Sequence, residues 1–269
     1  MITPTLFSPA VTESLLPEVA GARYMSKALA LAEKAGYACE LSGYPYPNLA
    51  PGPSQRHGTT YLMMEPREKT ASGQPMSASE IRQRIRTKGV TPETVRMVCP
   101  LVFWSRHVDL ALEYGKGELI FAPWITQGEL ISVFRTLSVA AGQPETYHDI
   151  PLIRDAPEAL RELSEQMGNH GLLVSVLALP EDTEWDALQW INTVKALPSR
   201  ERRVYMDRFG KHLRFLPSQE AFAPLNSYWA TTAHACEADA STVGNPWIKR
   251  YRPIADQALT QLREQGLIA

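Results

Sequence analysis

The segment GKGELIFAPWITQGELISVFRTLSVAAG, residues 115–142, restricts the possible folds more than any other part of the chain. Its GKG start indicates a turn, and ELIFAP is typical of a short strand that ends at Pro123. Thr126 and Glu129 have the spacing of a capping box, so they predict the start of a helix. The apolar face of that helix comprises Leu130, Phe134 and Leu137. A strand leading directly into a helix predicts mixed secondary structure.

Weaker signals along the chain extend this prediction. Residues 22–35 place apolar side chains on one helical face, and TTYLMME, residues 59–65, is typical of a strand. Ser77 and Glu80 form a second capping box at the start of another helix. The apolar segment around Cys99 is interpreted as helix. The predicted fold class is therefore α+β, with short strands surrounded by helices.

Composition excludes several function classes. A formal net charge of −2 gives no global attraction to nucleic acid or anionic lipid. No apolar run of about 18 residues predicts a membrane span, and the N-terminus MITPTLFSPAVTESLL lacks the features of a secretory signal. The three cysteines are widely spaced, which argues against a disulfide framework and favours a reducing compartment. We therefore expect a cytoplasmic protein without membrane insertion.

Two short segments resemble halves of a zinc site. CELS offers Cys39 and Ser42, and CPLV offers Cys99 and Val102, each at the spacing of a C-x-x-C knuckle. Structural zinc needs four soft ligands in a tetrahedron. The hydroxyl of Ser42 is a poor ligand for zinc and Val102 cannot bind a metal. Each knuckle thus keeps its first ligand position and loses its second.

Two functions remain open for the cysteines. A bound zinc would need further ligands, for which His57 and His107 are candidates. Alternatively, Cys39 and Cys99 are small buried apolar residues. We expect no metal or other cofactor.

The order of segments resembles the IcmJ/DotN family of type IVB (Dot/Icm and related conjugative) secretion systems. That family has a C-x-x-C-G-aromatic turn, a variable loop, a second cysteine-rich knuckle and a signature of the form G-x-L-I-Y-L-P-E-L-T-Q-A-E-L-N. The residues of this chain that match the signature are Gly117, Leu119, Ile120, Pro123, Thr126, Gln127, Glu129 and Leu130. A later I-R-L-L-P-S segment is matched through Arg214, Leu216, Pro217 and Ser218.

The resemblance implies a fold, a function and partners. The family fold is similar to His-Asn-His (HNH) nucleases built around zinc, but is not thought to cut DNA. Members bind the C-terminal extension of the coupling ATPase and other coupling-complex subunits, and support substrate recruitment. The resemblance therefore implies a non-catalytic adaptor that is cytoplasmic and recruited peripherally to the inner membrane. Residues 1–231 would form the IcmJ/DotN-like domain with a degenerate zinc site, and residues 232–269 a helical C-terminal extension.

Candidate partner-binding residues are aromatic and basic. Tryptophan is frequent in interface hot spots, and the four candidates are Trp104, Trp124, Trp190 and Trp229. Arg202 and Arg203 lie in a basic stretch, residues 195–214, that could meet an acidic partner segment. The alternatives are core packing for the tryptophans and a solvated helix face for the arginines.

Two other functions are alternatives to the adaptor. An HNH-like metal-dependent nuclease needs a histidine base, for which His57 is the candidate, but Arg56 and Gly58 flank it where such enzymes tend to have an Asp-His pair. Nucleic-acid binding without chemistry has only the basic stretch in its favour, and the overall charge opposes it. We therefore expect neither an enzyme nor a nucleic-acid partner.

Overall fold

A computed structural model describes residues 15–44, 46, 60–142, 151–167, 170–180, 184–231, 260 and 263–264. These residues form an α+β fold of helices and short antiparallel strands, which confirms the predicted fold class at this level. The chain divides into two compact units between Arg106 and His107. None of the described helices has a stretch long and apolar enough to cross a lipid bilayer.

The first unit is built on a pair of buried strands. The elements are α1 (Pro17–Lys34), β1 (Met63–Pro66), α2 (Ala78–Lys88), β2 (Val95–Val98) and α3 (Pro100–Arg106). Strands β1 and β2 are antiparallel, with Met63 opposite Val98. Helix α1 packs on both strands, and the Tyr24 hydroxyl accepts a hydrogen bond of 3.1 Å from the Met64 amide.

The sequence predicts a helix around Cys99, but this prediction is wrong for the residues before Cys99. Val95–Val98 form strand β2, because their backbone groups pair with β1. Helix α3 begins only at Pro100, whose missing N–H is tolerated in the first helical turn. Cys99 therefore lies between a strand and a helix.

The second unit contains the strand-to-helix segment that the sequence predicts. Its elements are α4 (Val108–Glu113), β3 (Gly117–Phe121), α5 (Gln127–Ala141), α6 (Pro151–Met167), α7 (His170–Val176), α8 (Ala187–Ala196), α9 (Ser199–Arg208), β4 (Leu213–Pro217) and α10 (Ala223–Thr231). Strands β3 and β4 are antiparallel, with Gly117 opposite Pro217. Helix α5 is buried along most of its length and packs against α6, α10 and β4.

Gln127 joins α5 to β4 from inside the core. Its side-chain amide donates a 2.8 Å hydrogen bond to the Phe215 carbonyl and its side-chain carbonyl accepts one of 2.8 Å from the Phe215 amide.

Both capping boxes, at Ser77 and at Thr126, are present as predicted. The predicted division at residue 231 stays a prediction, since only Thr260, Arg263 and Glu264 of the extension are described, and these are helical.

Candidate functional site

The first of the two knuckle-like turns follows α1. The chain reverses through Gly36 and Tyr37, which have positive φ angles of 65° and 52°. The Cys39 amide then donates to the Tyr44 carbonyl at 2.9 Å, and the Gly43 amide donates to the Cys39 carbonyl at 2.7 Å. These bonds close a turn over the Cys39 side chain. The Ser42 amide consequently points at the Cys39 sulfur, at 3.4 Å.

The second turn repeats this arrangement at the start of α3. The Phe103 amide donates to the Cys99 carbonyl at 2.9 Å, and the Val102 backbone acts to lower the pKa of Cys99. In each turn, therefore, the backbone of the residue three positions after the cysteine favours negative charge on the sulfur. This is the arrangement of backbone amides that a zinc knuckle uses to hold thiolates.

The two turns lie side by side. The Glu40 amide donates to the Met97 carbonyl at 2.9 Å, and the Met97 amide donates to the Glu40 carboxylate at 2.8 Å. The Cys39 and Cys99 side chains lie close enough to shift each other's pKa. Each cysteine is only 1% exposed. The fold thus brings together two residues from distant parts of the sequence, and we call Cys39 and Cys99 the thiol pair.

The thiol pair carries opposite pKa shifts. The hydrogen bond from Cys99 is the main reason that the pKa of Cys39 is lowered to about 5, with the Ser42 contacts acting in the same direction and burial acting against them. Burial is the main cause of the raised pKa of Cys99, and the hydrogen bond and negative charge of Cys39 add to it. As the pH rises, Cys39 therefore loses its proton before Cys99 does.

The residues at the thiol pair do not fit a tetrahedral zinc site. The side chain of Val102 is completely buried and offers no ligand, and the exposed Ser42 accepts a weak hydrogen bond from the Tyr44 amide. His107 is buried at the N-terminus of α4, whereas His57 lies outside the described residues. Across the part of the chain that is described, no group of three or more His, Cys, Asp or Glu side chains could hold a metal. Two thiols alone fall short of the four ligands that structural zinc requires.

A buried ion network lies on the same strand pair. Glu65 of β1 is fully buried, and its carboxylate accepts hydrogen bonds from Arg96 at 2.5 Å and from Arg106 at 2.7 Å. Arg106 also contacts Glu68 at 2.7 Å. Burial acts to lower the pKa of Arg106, but the charges of Glu65 and Glu68 outweigh it and raise that pKa. The sequence analysis does not identify this network. Its available signal is Glu65, the acidic residue that ends the segment TTYLMME.

Two of the four aromatic candidates are buried. Trp104 is 2% exposed and packs edge-on against Phe103. Trp190 is 6% exposed, and its indole N–H donates to the Tyr205 hydroxyl at 3.1 Å. Both belong to the core, because their apolar area is already covered by the chain itself. Trp124 is 40% exposed and stays a candidate contact residue, whereas the side chain of Trp229 lies outside the described residues.

The basic stretch contains an exposed apolar groove on α9. Helix α9 buries none of its side chains, and Val204 is 60% exposed. A groove of about 520 Å³ is lined by Leu197, Arg200, Glu201, Val204, Tyr205, Arg208 and Phe209, which we call the α9 groove. Arg203 is exposed on the same helix, and Arg202 is partly exposed and donates to the Lys195 carbonyl at 3.0 Å. The exposed face of α9 thus combines the apolar side chain of Val204 with the positive charges of its arginines.

Neither the known protein families nor the curated proteins contain a match to this chain.

Proposed function

We propose that the chain is a non-catalytic adaptor of the type IV coupling complex in a type IVB secretion or conjugation system. It binds the C-terminal tail of the coupling ATPase, supports substrate recruitment and is recruited to the inner membrane through that complex. The observation that carries the proposal is the convergence of the two turns at Cys39 and Cys99. This is the arrangement that the resemblance to the IcmJ/DotN family leads us to expect.

Packing and hydrogen bonds take the place of the metal in this proposal. The first turn is closed by backbone hydrogen bonds, and Tyr44 and Tyr46 are buried with their ring centroids 5.8 Å apart. Glu40 is additionally paired with Arg67 at 2.6 Å. Metal supplies most of the folding free energy only in minimal zinc modules, whereas a chain of 269 residues can bury a larger core. An HNH-like centre can then keep its shape while serving contact instead of catalysis.

The α9 groove is the surface that suits a tail-like partner. Val204 is the large apolar side chain of α9 that is exposed. Arg200 and Arg208 line the same groove, and Arg203 is exposed on the same helix. Apolar anchors ringed by charge favour an amphipathic segment with acidic flanks. We therefore propose that the tail of the partner binds in this groove through a segment with acidic flanks.

Co-purification with the C-terminal extension of the coupling ATPase from the same transfer locus tests the adaptor function. We expect a stable complex, and Val204→Asp should weaken it by about tenfold or more, because it places a carboxylate in the apolar contact. Arg203→Glu should weaken it less and reduce its salt dependence. Arg86→Glu, an exposed charge reversal on α2, is the matched control and should leave binding unchanged.

Two results would contradict the proposal. Absence of any complex with the wild-type protein would remove the adaptor function. Cutting of plasmid DNA in the presence of Mg²⁺, abolished by His57→Ala, would establish the nuclease instead.

A further inference from the structure

The thiol pair has a property that partner binding does not use. Cys39 and Cys99 are both buried inside the first unit, and hydrogen bonds between Glu40 and Met97 join the two turns that carry them. Each sulfur lies close enough to shift the pKa of the other. Formation of an S–S bond of about 2.0 Å draws the two side chains together within these adjacent turns. Two thiols held in this way are pre-positioned for a covalent bond.

We propose that Cys39 and Cys99 form a reversible disulfide when the protein meets a peroxide. The Cys39 sulfur attacks one peroxide oxygen, so that an S–O bond forms, the O–O bond breaks and the departing hydroxide takes up a proton as water. The Cys99 sulfur then attacks the resulting sulfenic acid, so that an S–S bond forms and the second oxygen leaves as water with the Cys99 proton. The two sulfurs together lose two electrons to the peroxide, and a small thiol restores both cysteines.

The environments of the two sulfurs divide the roles between them. The Ser42 amide donates to Cys39, and negative charge on this sulfur is further stabilised by Cys99, so Cys39 is the attacking thiolate. Cys99 keeps its proton because it is more deeply desolvated, and it is the resolving thiol. Residues 40–43, which follow Cys39 in the first turn, are exposed. A small oxidant reaches Cys39 when this turn opens.

Peroxide titration of the full-length protein tests the disulfide. A Cys236→Ser background removes the third thiol. After oxidation and trypsin digestion without reductant, we expect peptide 35–56 joined to peptide 97–106, and the joined species should disappear on reduction. Thiol counting should show both thiols lost together. The midpoint of urea unfolding should rise in the oxidised protein, because the crosslink restricts the unfolded chain.

Single variants separate the two steps. With Cys99→Ser, Cys39 should still react with peroxide but accumulate as an oxyacid, seen as added oxygen in the intact mass. With Cys39→Ser, Cys99 should react at least about tenfold more slowly than Cys39 does in the other variant. If either variant fails to fold, the joined peptide of the parent protein still decides the outcome. Oxidation of both sulfurs to oxyacids without a joined peptide, or joining only in urea, would overturn the proposal.

Discussion

The strand pairs β1–β2 and β3–β4 have the same form but different interiors. Each is a two-stranded antiparallel sheet, and each of the two units also contains a helix that starts with a capping box. Around β1–β2 the chain buries an ion network at Glu65 and the thiol pair. Around β3–β4 most of the buried side chains are apolar, and Gln127 joins α5 to β4. The buried charges of this unit, Asp109 and Arg135, lie on α4 and α5 and not on the strands. We therefore expect the strand pair β1–β2 to depend on matched charges and the strand pair β3–β4 to depend mainly on shape.

Removal of the Glu65 charge should produce the largest effect. Glu65→Gln leaves the guanidinium groups of Arg96 and Arg106 without the carboxylate that they share inside the protein. Breaking a buried pair by removing one partner costs about 3–5 kcal/mol. Urea unfolding measures this loss, and Glu158→Gln, in an exposed pair with Arg161 on α6, is the control that should be almost neutral. Equal losses in the two variants would show that the buried network at Glu65 contributes no more to stability than an exposed ion pair.

The thiol pair should make stability depend on pH in a defined direction. Cys39 has a lowered pKa in the folded protein. Its contribution to the free energy of unfolding is therefore fully present above the unfolded pKa of about 9 and is lost as the pH falls toward about 5. Cys99 has a raised pKa, so its contribution to the free energy of unfolding is present below the unfolded pKa and is lost only at higher pH. Between pH 5.5 and 8, the folded pair thus holds fewer protons than the unfolded chain.

Comparison with Cys39→Ala isolates this effect. The free energy of unfolding of the wild type, minus that of the variant, should increase with pH by at most about 1.4 kcal/mol per unit, the value for one proton. Urea unfolding at pH 5.5, 6.5 and 8 measures the difference, and thiolate absorbance near 240 nm provides an independent check. A difference that is flat or that decreases with pH would show that Cys39 is protonated in the folded protein.

Gly117 tests the dependence of the β3–β4 region on shape. A Cβ atom at this position would lie 2.1 Å from the Leu216 carbonyl oxygen, a backbone atom that cannot move away without disturbing the strand pair. Gly117→Ala should therefore cost about 3 kcal/mol, the upper part of the range for overpacking. At Gly115, Ala meets open space and pays only for a φ of 60°, about 1 kcal/mol. If the Gly115 variant is the less stable of the two in urea, steric fit does not dominate this region.

The sequence predicts the parts of this structure that depend on neighbouring residues. Both capping boxes and the strand-to-helix segment were predicted because their signals lie within a few positions of each other. The Glu65–Arg106 pair spans 41 positions and the Gln127–Phe215 bridge spans 88, and no local pattern specifies such partners. Trp104 and Trp190 were placed among surface candidates for the same reason: their burial depends on distant segments.

The cysteines lie between these two cases. Their spacing predicts two knuckles, and in the structure the two turns lie side by side. Wide spacing argues against a disulfide framework, but sequence separation does not limit the distance between two sulfurs after folding. The two knuckle-like turns are thus a local signal, and the opposite pKa shifts of Cys39 and Cys99 are its non-local consequence.

The capping boxes should give the smallest difference between the two regions. Ser77 accepts a 3.3 Å hydrogen bond from the Glu80 amide, and Thr126 accepts one of 3.2 Å from the Glu129 amide. Ser77→Ala and Thr126→Ala should each cost about 1 kcal/mol in urea unfolding, because each leaves an amide of the first helical turn without its side-chain acceptor. Ser77→Asp and Thr126→Asp keep an acceptor and serve as controls. A loss several times larger at Thr126 would mean that the start of α5 is coupled to Gln127, the next residue, and through it to β4. The capping box at Thr126 would then depend on long-range packing, whereas the capping box at Ser77 would not.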